Sequence, residues 1–324
     1  MRPIVCTLFE KKYHYGLAAL VNSLYKTGFR GSVFAGYKGE LPSWAKVSNH
    51  HAKIKWEGAK IFSVAEGLDI HFLPVDTDYH LTNYKPAFML KLLELHEAAC
   101  SGIFYFDPDI ILVRSWPLFE EWITCGVALI EDINSPLSNL HPRRIAWRRY
   151  FAEKGITLEF KNPIYVNGGF VGLSPGNASF LTLWGKMQET FAPLIGGLNN
   201  SIFMGRNTKL WRTAGGPFMP FLKTDQDALN IAVEACNNEI SFLGNDTMGF
   251  SAGFTMMYHA LGMHKPWERK SLKHAWKGEP PRKVDILFWK SVSRPIKAAS
   301  SGLIKWKRFT INIASFIGRF YSKA

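Results

Sequence analysis

The stretch Gly102-Ile-Phe-Tyr-Phe-Asp-Pro-Asp-Ile-Ile-Leu-Val113 carries two carboxylates, Asp107 and Asp109, within a run of apolar residues. Its continuous apolar character predicts a strand that is buried on both faces, as in a parallel sheet. Charge beside so much buried apolar surface is costly, so we expect a cation next to the two acids. Two hard oxygen ligands this close in sequence suit Mg²⁺ or Mn²⁺, with phosphate oxygens of a substrate as further ligands. The alternative is a plain Asp-Pro-Asp turn at the end of a strand.

On both sides of this stretch, short β-type runs alternate with helical ones, which is typical of a parallel sheet with crossover helices. The predicted strands are Ile4–Phe9, 31–36, Ile70–Pro74, Val127–Ile130, Tyr165–Leu173 and Ile240–Leu243. The predicted helices are Tyr15–Tyr25 and Ala87–Ala99, the second entered at Pro86. The stretches 134–162 and 193–221 are less periodic, and we expect loops that shape a binding site there. The predicted fold class is α/β and Rossmann-like, with a mostly parallel central sheet flanked by helices.

The composition indicates a globular body with a substantial core, because 47% of the 324 residues are hydrophobic and 20% are charged. The four cysteines lie far apart without a Cys-x-x-Cys pair, so we expect ordinary buried thiols in a reducing compartment and no structural zinc. The first apolar run, Ile4–Phe9, lacks the long hydrophobic core of a signal peptide. We therefore expect a cytoplasmic protein.

Positive charge is concentrated at the end of the chain. The formal net charge is +13, and the sequence after Asp285 has eight basic residues and no acidic ones, so that 13 − 8 leaves +5 for the rest. This distribution predicts a main domain over residues 1–290 and a basic tail over residues 291–324. The charge lies away from the candidate site residues and no basic-aromatic strand motif is present, so we expect no nucleic-acid partner.

Residues 300–323 predict an amphipathic surface helix with a basic and an apolar face. The polar face holds Lys305, Arg308, Asn312, Ser315, Arg319 and Ser322, and the apolar face holds Leu303, Trp306, Phe309, Ile313, Phe316, Ile317 and Phe320. Each basic residue near an anionic bilayer contributes about 1 kcal/mol, so the tail is expected to bind an anionic membrane surface on its cytoplasmic side. The alternative is that the helix packs on the protein's own body or on a second subunit.

A second motif, Tyr258-His259-Ala-Leu-Gly262-Met-His264-Lys265-Pro266-Trp267, supplies groups that complement the two acids. An imidazole can complete a manganese-type coordination sphere, a glycine allows close approach of the backbone, and a lysine offers a point charge to a phosphate. Each residue alone has an ordinary structural explanation. The combined spacing of His259, Gly262 and Lys265-Pro-Trp267 is the specific feature.

This spacing resembles the HxxGxxKPW signature of the retaining glycosyltransferases of family eight, which includes glycogenin and bacterial lipooligosaccharide galactosyltransferases. Other segments match the family in the same order over roughly residues 3 to 290. They are Tyr13 and Gly16 before Ser23-Leu24, Asp107-Pro-Asp109 as the DxD motif, Val166-Asn-Gly-Gly169, and Thr224-Asp-Gln-Asp227. The resemblance implies a GT-A fold, a UDP-sugar donor, Mn²⁺ or Mg²⁺, and transfer of a hexose to a glycan or lipid-linked acceptor.

The resemblance also implies a role for each matched residue. Asp107, Asp109 and His259 would bind the metal, with Asp107 also near the donor. The residues implied in donor binding are Gly262 and Lys265 at the diphosphate, Thr7 and Tyr13 at the uridine, and Lys85 and Asn167 near the sugar. Asp225 and Gln226 would be the catalytic residues that face the transferred sugar. The sequence Cys6-Thr7-Leu8 departs from the family, because many bacterial members carry an acidic residue near the end of this strand.

The chemistry of sugar transfer gives these residues a physical purpose. Breaking the sugar–phosphate bond places negative charge on UDP, which a metal and Lys265 would stabilise. The departing sugar becomes oxocarbenium-like, so Gln226 is expected to supply an oxygen dipole and Asp225 to hold sugar hydroxyls. A glutamine is a poor nucleophile, so retention of configuration is expected to proceed by front-face attack.

Several alternatives remain open on the sequence alone. Thr224 and Asp227 could form a helix-capping arrangement, and the segment at Asn167 could be a strand bulge. A metal-dependent nucleotidyltransferase or hydrolase would also use paired acids, but it does not explain the spacing that follows His259. A basic membrane- or RNA-binding module without catalysis would rest on the charge alone.

Overall fold

The computed structural model describes residues 2–45, 49–50, 54–96, 100–202, 218–262 and 264–320. The strands of the described part are β1 (Arg2–Glu10), β2 (Gly31–Lys38), β3 (Asn49–His50), β4 (Lys60–Ala65), β5 (Leu68–Pro74), β6 (Cys100–Phe106), β7 (Ile110–Leu112), β8 (Val127–Ile130), β9 (Phe170–Leu173), β10 (Ile240–Leu243) and β11 (Met257–His259). Its α-helices are α1 (His14–Lys26), α2 (Lys85–His96), α3 (Pro117–Trp122), α4 (Pro142–Ala152), α5 (Ala178–Ile195), α6 (Thr224–Ala235), α7 (Ser271–Ala275), α8 (Lys283–Ser291) and α9 (Ser301–Ile317).

Nine of the strands form one central sheet in the order β10-β8-β9-β6-β1-β2-β5-β4-β3. Strands β9 and β4 pair antiparallel with their neighbours, and the other seven strands all point the same way. The prediction of a mostly parallel α/β sheet flanked by helices is confirmed. The short strands β11 and β7 form a separate antiparallel pair.

The central strand β1 shows why the sheet has a layer of helices on each face. Its side chains alternate, so that Ile4, Cys6 and Leu8 join one apolar cluster while Val5 and Phe9 join another. The first cluster contains apolar residues of α2, α5 and α6, and the second contains those of α1. A strand that is buried on both faces needs this continuous apolar sequence.

The apolar stretch from Gly102 to Val113 is two strands and not the single strand that its sequence predicts. Strand β6 ends at Phe106, and the chain leaves the central sheet to form β7 with a different partner. Pro108 lies at the break, and a proline cannot donate a hydrogen bond to a sheet ladder. Asp107 and Asp109 therefore lie in the connection between two strands.

Three other expectations need correction. Regular strand structure covers only Phe170–Leu173 of the predicted strand 165–173, with an isolated bridge from Val166 to Glu131. The predicted loop 134–162 contains α4, which begins with Pro142 in its first turn and with the His141 ring accepting from the Arg143 backbone N–H. Strands β3 and β4 were not predicted. Residues 97–99 and 203–217 of the predicted helix and loop lie outside the described residues.

Helix α9 lies on the surface, as predicted, and presents two apolar faces. Ile304, Ile311 and Ala314 are buried where the helix packs on α7 and α8. The predicted apolar face is the outward one, with exposed fractions of 58% for Trp306, 56% for Phe309 and 58% for Phe316. The helix thus packs on the protein's own body and still exposes its aromatic side chains.

The division at residue 290 stays a prediction. Helix α8 ends at Ser291, next to the predicted boundary. All four cysteines are free thiols, of which Cys125 is exposed. Within the described residues, no helix is both long and apolar enough to span a bilayer.

Candidate active site

The two acids and the imidazole predicted to bind metal lie together at the carboxyl ends of the parallel strands. Antiparallel pairing of β11 with β7 places His259 opposite Ile110, the residue that follows Asp109. The His259 Nε2 atom lies 3.3 Å from Asp109 Oδ1 and 3.8 Å from Asp107 Oδ2. One ligand atom from each of the three side chains lies within 4.8 Å of the others.

Two glycines make this convergence sterically feasible. A Cβ atom on Gly16 in α1 would lie 2.5 Å from the carbonyl oxygen of Pro108, so only glycine lets the helix approach the turn between the acids. A Cβ atom on Gly169 would lie 2.6 Å from the His259 ring. Both glycines therefore allow the three candidate ligands to lie close together.

The donor set fits a hard divalent cation. Carboxylate oxygens suit Mg²⁺ and Mn²⁺, and imidazole nitrogen is a ligand that Mn²⁺ and other transition metals accept. The Asp109 side chain is only 4% exposed and the His259 side chain 6%, and buried acids of this kind require a positive partner. The His259 Nδ1 atom has no hydrogen-bond partner among the described residues, whereas Nε2 faces the acids.

Lys265 places its ammonium group directly on Asp109, one of the candidate metal ligands. Its Nζ atom lies 2.6 Å from Asp109 Oδ2 and donates to the Ala260 carbonyl at 2.8 Å. Burial raises the pKa of Asp109, but the positive charge of Lys265 and the His259 contact outweigh it and hold that pKa below its usual value. The acid is therefore ionised and available to a metal.

Gly262, three residues before Lys265, has an open left-handed backbone conformation. Gly262 has φ of +86°, and a Cβ atom there would meet nothing within 4 Å. Arg282 donates to the carbonyls of Leu261 at 2.6 Å and His264 at 2.9 Å, on either side of this glycine. Sequence analysis missed Arg282, which stands some twenty residues away from this glycine without a motif of its own.

Lys85 is fully buried between two carboxylates. Its Nζ atom lies 3.1 Å from Asp107 Oδ1 and 2.8 Å from Asp225 Oδ2, and it also donates to the Gly168 carbonyl at 2.8 Å. Burial lowers the pKa of Lys85, but Asp107 and then Asp225 outweigh it and raise that pKa above its usual value. The hydroxyl of Tyr105, a residue not singled out in the sequence, donates to Asp107 Oδ1 at 3.0 Å. Lys85 thus joins Asp107, a candidate metal ligand, to Asp225, the acid of the predicted sugar site.

Asp225 and Gln226 lie in the first turn of α6. The Asp225 carbonyl accepts from the Trp184 indole at 3.0 Å, and Gln226 Oε1 accepts from the Gly168 backbone N–H at 3.1 Å. The prediction that Thr224 caps this helix is wrong, because the cap residue is Lys223.

Asp227 has a structural position. Its carboxylate accepts from the Lys223 backbone N–H at 2.9 Å and from the Tyr165 hydroxyl at 2.6 Å, and the side chain is fully buried. Burial raises the pKa of Asp227 to about 7, although the Tyr165 hydrogen bond opposes this. Its bond to the backbone of Lys223, the residue before the helix, is a helix-capping contact of the kind that the sequence left open for Asp227.

Asn167 has both ends of its amide engaged by the protein. Its Nδ2 donates to Asp132 Oδ2 at 2.6 Å, and its Oδ1 accepts from the Gly169 backbone N–H at 2.8 Å. The predicted contact of Asn167 with a sugar therefore competes with two internal hydrogen bonds. Asp132 was missed by sequence analysis, although it follows β8 at the same edge of the sheet.

The two predicted uridine contacts both precede α1 in the chain, Thr7 within β1 and Tyr13 directly before the helix. Thr7, in β1, is fully buried, and its hydroxyl has no hydrogen-bond partner among the described residues. The Tyr13 ring packs edge-on against Trp267 with centroids 5.3 Å apart, and Lys265 Nζ lies 5.9 Å from its centre. Tyr13 thus belongs to the same group of side chains as Lys265, whereas the role of Thr7 stays a prediction.

Two solved structures share this fold. WbbM, described as a bifunctional glycosyltransferase, superposes with a TM-score of 0.50 and 12% identity over 95% of this chain and 51% of WbbM. LgtC, solved as an active-site mutant, superposes with a TM-score of 0.52 and 13% identity over 94% of this chain and 99% of LgtC. This chain thus spans about half the length of WbbM. No protein-family profile matches the sequence, and no curated protein matches it. The resemblance stated from the motifs is confirmed in the fold, which is that of the GT-A glycosyltransferases.

Proposed function

We propose that this protein is a metal-dependent retaining glycosyltransferase that moves a hexose from a UDP-sugar to a glycan or lipid-linked acceptor. The observation that carries the proposal is the meeting of Asp107, Asp109 and His259 beside Lys265 at the carboxyl edge of the sheet. Ligands bind at that edge in open α/β sheets. The shared fold with two solved structures supports the same class of protein.

In this proposal Asp107, Asp109 and His259 hold Mn²⁺ or Mg²⁺, and the ion supplies positive charge to the diphosphate leaving group. Lys265 supplies a second positive charge to the diphosphate. Its ammonium lies 2.6 Å from Asp109, so it stands next to the proposed ion. The open left-handed turn at Gly262 gives a phosphate room to approach the backbone. Thr7 and Tyr13 are assigned to the uridine.

Asp225 is assigned to the hydroxyls of the transferred sugar. Its Oδ2 is paired with Lys85 at 2.8 Å, so one of its oxygens is already engaged by a positively charged donor, which makes the carboxylate less nucleophilic. A glutamine follows it in sequence, and an amide is a still weaker nucleophile. The arrangement therefore favours front-face attack over a double displacement with a covalent sugar–enzyme intermediate.

The direct test is turnover with a panel of nucleotide sugars, measured as release of the nucleoside diphosphate. We expect the protein to use a UDP-sugar, to require Mn²⁺ or Mg²⁺, and to lose activity in a chelator, because the charge on the leaving group is then unbalanced. The product should keep the anomeric configuration of the donor. Equal turnover in chelator, or inversion of configuration, would contradict the proposal.

We further propose that α9 holds the protein on an anionic membrane. The exposed basic residues Lys305, within the helix, and Arg319, just after it, flank its exposed aromatic side chains, and the sequence after Asp285 contains no acid. Aromatic side chains at an interface with nearby basic residues suit a bilayer surface that carries negative charge. A lipid-linked acceptor would then lie within reach of the site.

Substituting the outward aromatic residues tests the membrane proposal without disturbing the buried face. We expect Trp306→Ser, Phe309→Ser and Phe316→Ser together to reduce binding to phosphatidylglycerol vesicles, because apolar contact area is lost. Donor turnover should be unchanged. The control carries Leu140→Ser and Leu194→Ser, which replace exposed apolar residues elsewhere. Equal vesicle binding by the triple variant and the control would contradict the membrane role.

A further inference from the structure

The Lys265 loop, described over residues 261–262 and 264–267, follows the candidate metal ligand His259 and contains the lysine assigned to the diphosphate. Its described residues belong to no helix or strand, so no regular ladder of hydrogen bonds holds their backbone carbonyls. Contacts from outside the loop must therefore hold the backbone that carries Lys265.

Arg282, the residue directly before α8, supplies two of these contacts. Its Nη1 donates to the Leu261 carbonyl at 2.6 Å, and its Nη2 donates to the His264 carbonyl at 2.9 Å. These carbonyls belong to the residue before Gly262 and the residue before Lys265. Because a guanidinium is planar and rigid, one side chain sets the distance between the two carbonyls.

Asp285 fixes the orientation of this guanidinium. Its Oδ2 accepts from Arg282 Nε at 3.0 Å, and its Oδ1 accepts from Arg282 Nη2 at 2.8 Å. The same Oδ2 accepts from the Arg282 backbone N–H at 2.9 Å, which ties the pair to the first turn of α8. Two parallel bonds of this kind hold the planar group in one direction. The Asp285 side chain is only 2% exposed and balances the charge of Arg282, so the bonds of Arg282 to the loop are its main contribution.

Trp289, a buried residue of α8, holds the other side of Lys265. Its indole Nε1 donates to the Pro266 carbonyl at 3.1 Å. The carbonyls of His264 and Pro266, the two neighbours of Lys265, are thus both bonded to residues of the segment 282–291. From this supported backbone the Lys265 ammonium reaches Asp109 at 2.6 Å.

We propose that Arg282 is a positioning residue for the diphosphate of the donor. It holds the Lys265 loop so that the Lys265 ammonium and the open backbone at Gly262 meet the phosphate oxygens, and Asp285 orients it for this task. The inference rests on the proposed function and adds a residue that has no part in it so far. Arg282 acts through Lys265, not by contact with the donor.

The test compares the binding of UDP and of uridine, each with Mn²⁺, to Arg282→Ala and to the wild type by titration calorimetry. Uridine lacks the diphosphate, so the ratio of the two dissociation constants isolates the part of binding that Lys265 serves. We expect R282A to bind UDP at least about tenfold more weakly, the worth of one charge-assisted hydrogen bond. Uridine binding should stay near the wild-type value, because Thr7 and Tyr13 lie outside the loop.

Arg282→Lys separates the geometry of the guanidinium from its charge. A lysine keeps the positive charge, but one ammonium on a flexible stem cannot span the carbonyls of Leu261 and His264 in a fixed plane. We therefore expect R282K to show a loss of UDP binding of the same order as R282A. Wild-type UDP binding by R282K would overturn the inference, and this variant also decides the question if R282A does not fold.

Arg30→Ala is the matched control. Arg30 also donates to two backbone carbonyls, those of Tyr25 at 2.9 Å and Phe29 at 2.8 Å. It directly precedes β2 and so lies at the amino end of a parallel strand, whereas the candidate site lies at the carboxyl ends. We expect R30A to bind both UDP and uridine as the wild type does.

The ratio of the dissociation constants also separates this inference from a general structural role. A folded R282A, checked by thermal unfolding, that loses UDP and uridine binding equally would overturn the inference alone. So would a folded R282A that binds both as the wild type does. Wild-type protein that binds no UDP in the presence of Mn²⁺ would instead overturn the proposed function, and with it the role of Arg282.

Discussion

Asp109→Asn and His259→Ala are each expected to lower metal-dependent sugar transfer by on the order of 10²-fold or more. Changes next to a metal ligand already cost about 10- to 100-fold, so loss of a ligand should cost at least as much. The same variants should lose the Mn²⁺ dependence of UDP binding. Titration calorimetry with and without Mn²⁺ measures this directly.

The control for these variants is Asp69→Asn. Asp69 lies at the start of β5, at the edge of the sheet away from the site, so the same chemical change there should leave activity intact. Thermal unfolding should show that D109N and H259A stay folded. Full activity in either folded variant would remove the metal-site assignment.

Gly16→Ala is expected to cost nearly as much although it alters no candidate ligand. The added Cβ would lie 2.5 Å from the Pro108 carbonyl oxygen, which is backbone and cannot rotate away. Helix α1 or the turn between Asp107 and Asp109 must therefore shift. Because a shift of about 1 Å at a reacting centre can cost about 10²-fold, we expect a loss of that order in kcat/KM and weaker metal binding.

The same substitution at Gly185 is the matched control. Gly185 lies within α5, where an added Cβ would meet no atom within 4 Å. Gly185→Ala should leave activity unchanged and stabilise the protein by about 0.5–1 kcal/mol, because alanine is the better helix former. Equal activity in G16A and G185A would show that the close approach of α1 to the turn is unimportant.

The candidate metal ligands could be picked out from the sequence because they stand in short, local spacings. Two acids interrupt an apolar strand, and the imidazole begins a motif of fixed spacing. The close approach of the acids and the imidazole could not be predicted in the same way. It depends on the pairing of two three-residue strands, β7 and β11, that lie far apart in sequence. Such short strands carry no periodic pattern.

The surroundings of the residues assigned to the sugar could be predicted less well, since they depend on hydrogen bonds between distant backbone and side-chain groups. The direction of the Gln226 amide is set by a backbone N–H fifty-eight residues away. Lysine is rarely fully buried, so the sequence gives no sign that Lys85 lies between Asp107 and Asp225.

The basic tail shows a third limit of prediction from sequence. The helical wheel separated basic from aromatic residues correctly, and the aromatic face predicted as apolar is real. The face that packs on the body consists of Ile304, Ile311 and Ala314, a second apolar stripe. Sequence periodicity reports that a stripe is apolar but not which surface covers it.

The central claim is that three side chains from distant parts of the chain hold one divalent ion against a diphosphate. Anomalous diffraction at the manganese edge, from crystals grown with Mn²⁺ and UDP, tests it most directly. We predict a single strong peak bonded to Asp107, Asp109 and His259 and to oxygens of the diphosphate. A manganese peak at other residues, or a bound diphosphate with the His259 imidazole outside the coordination sphere, would contradict the claim.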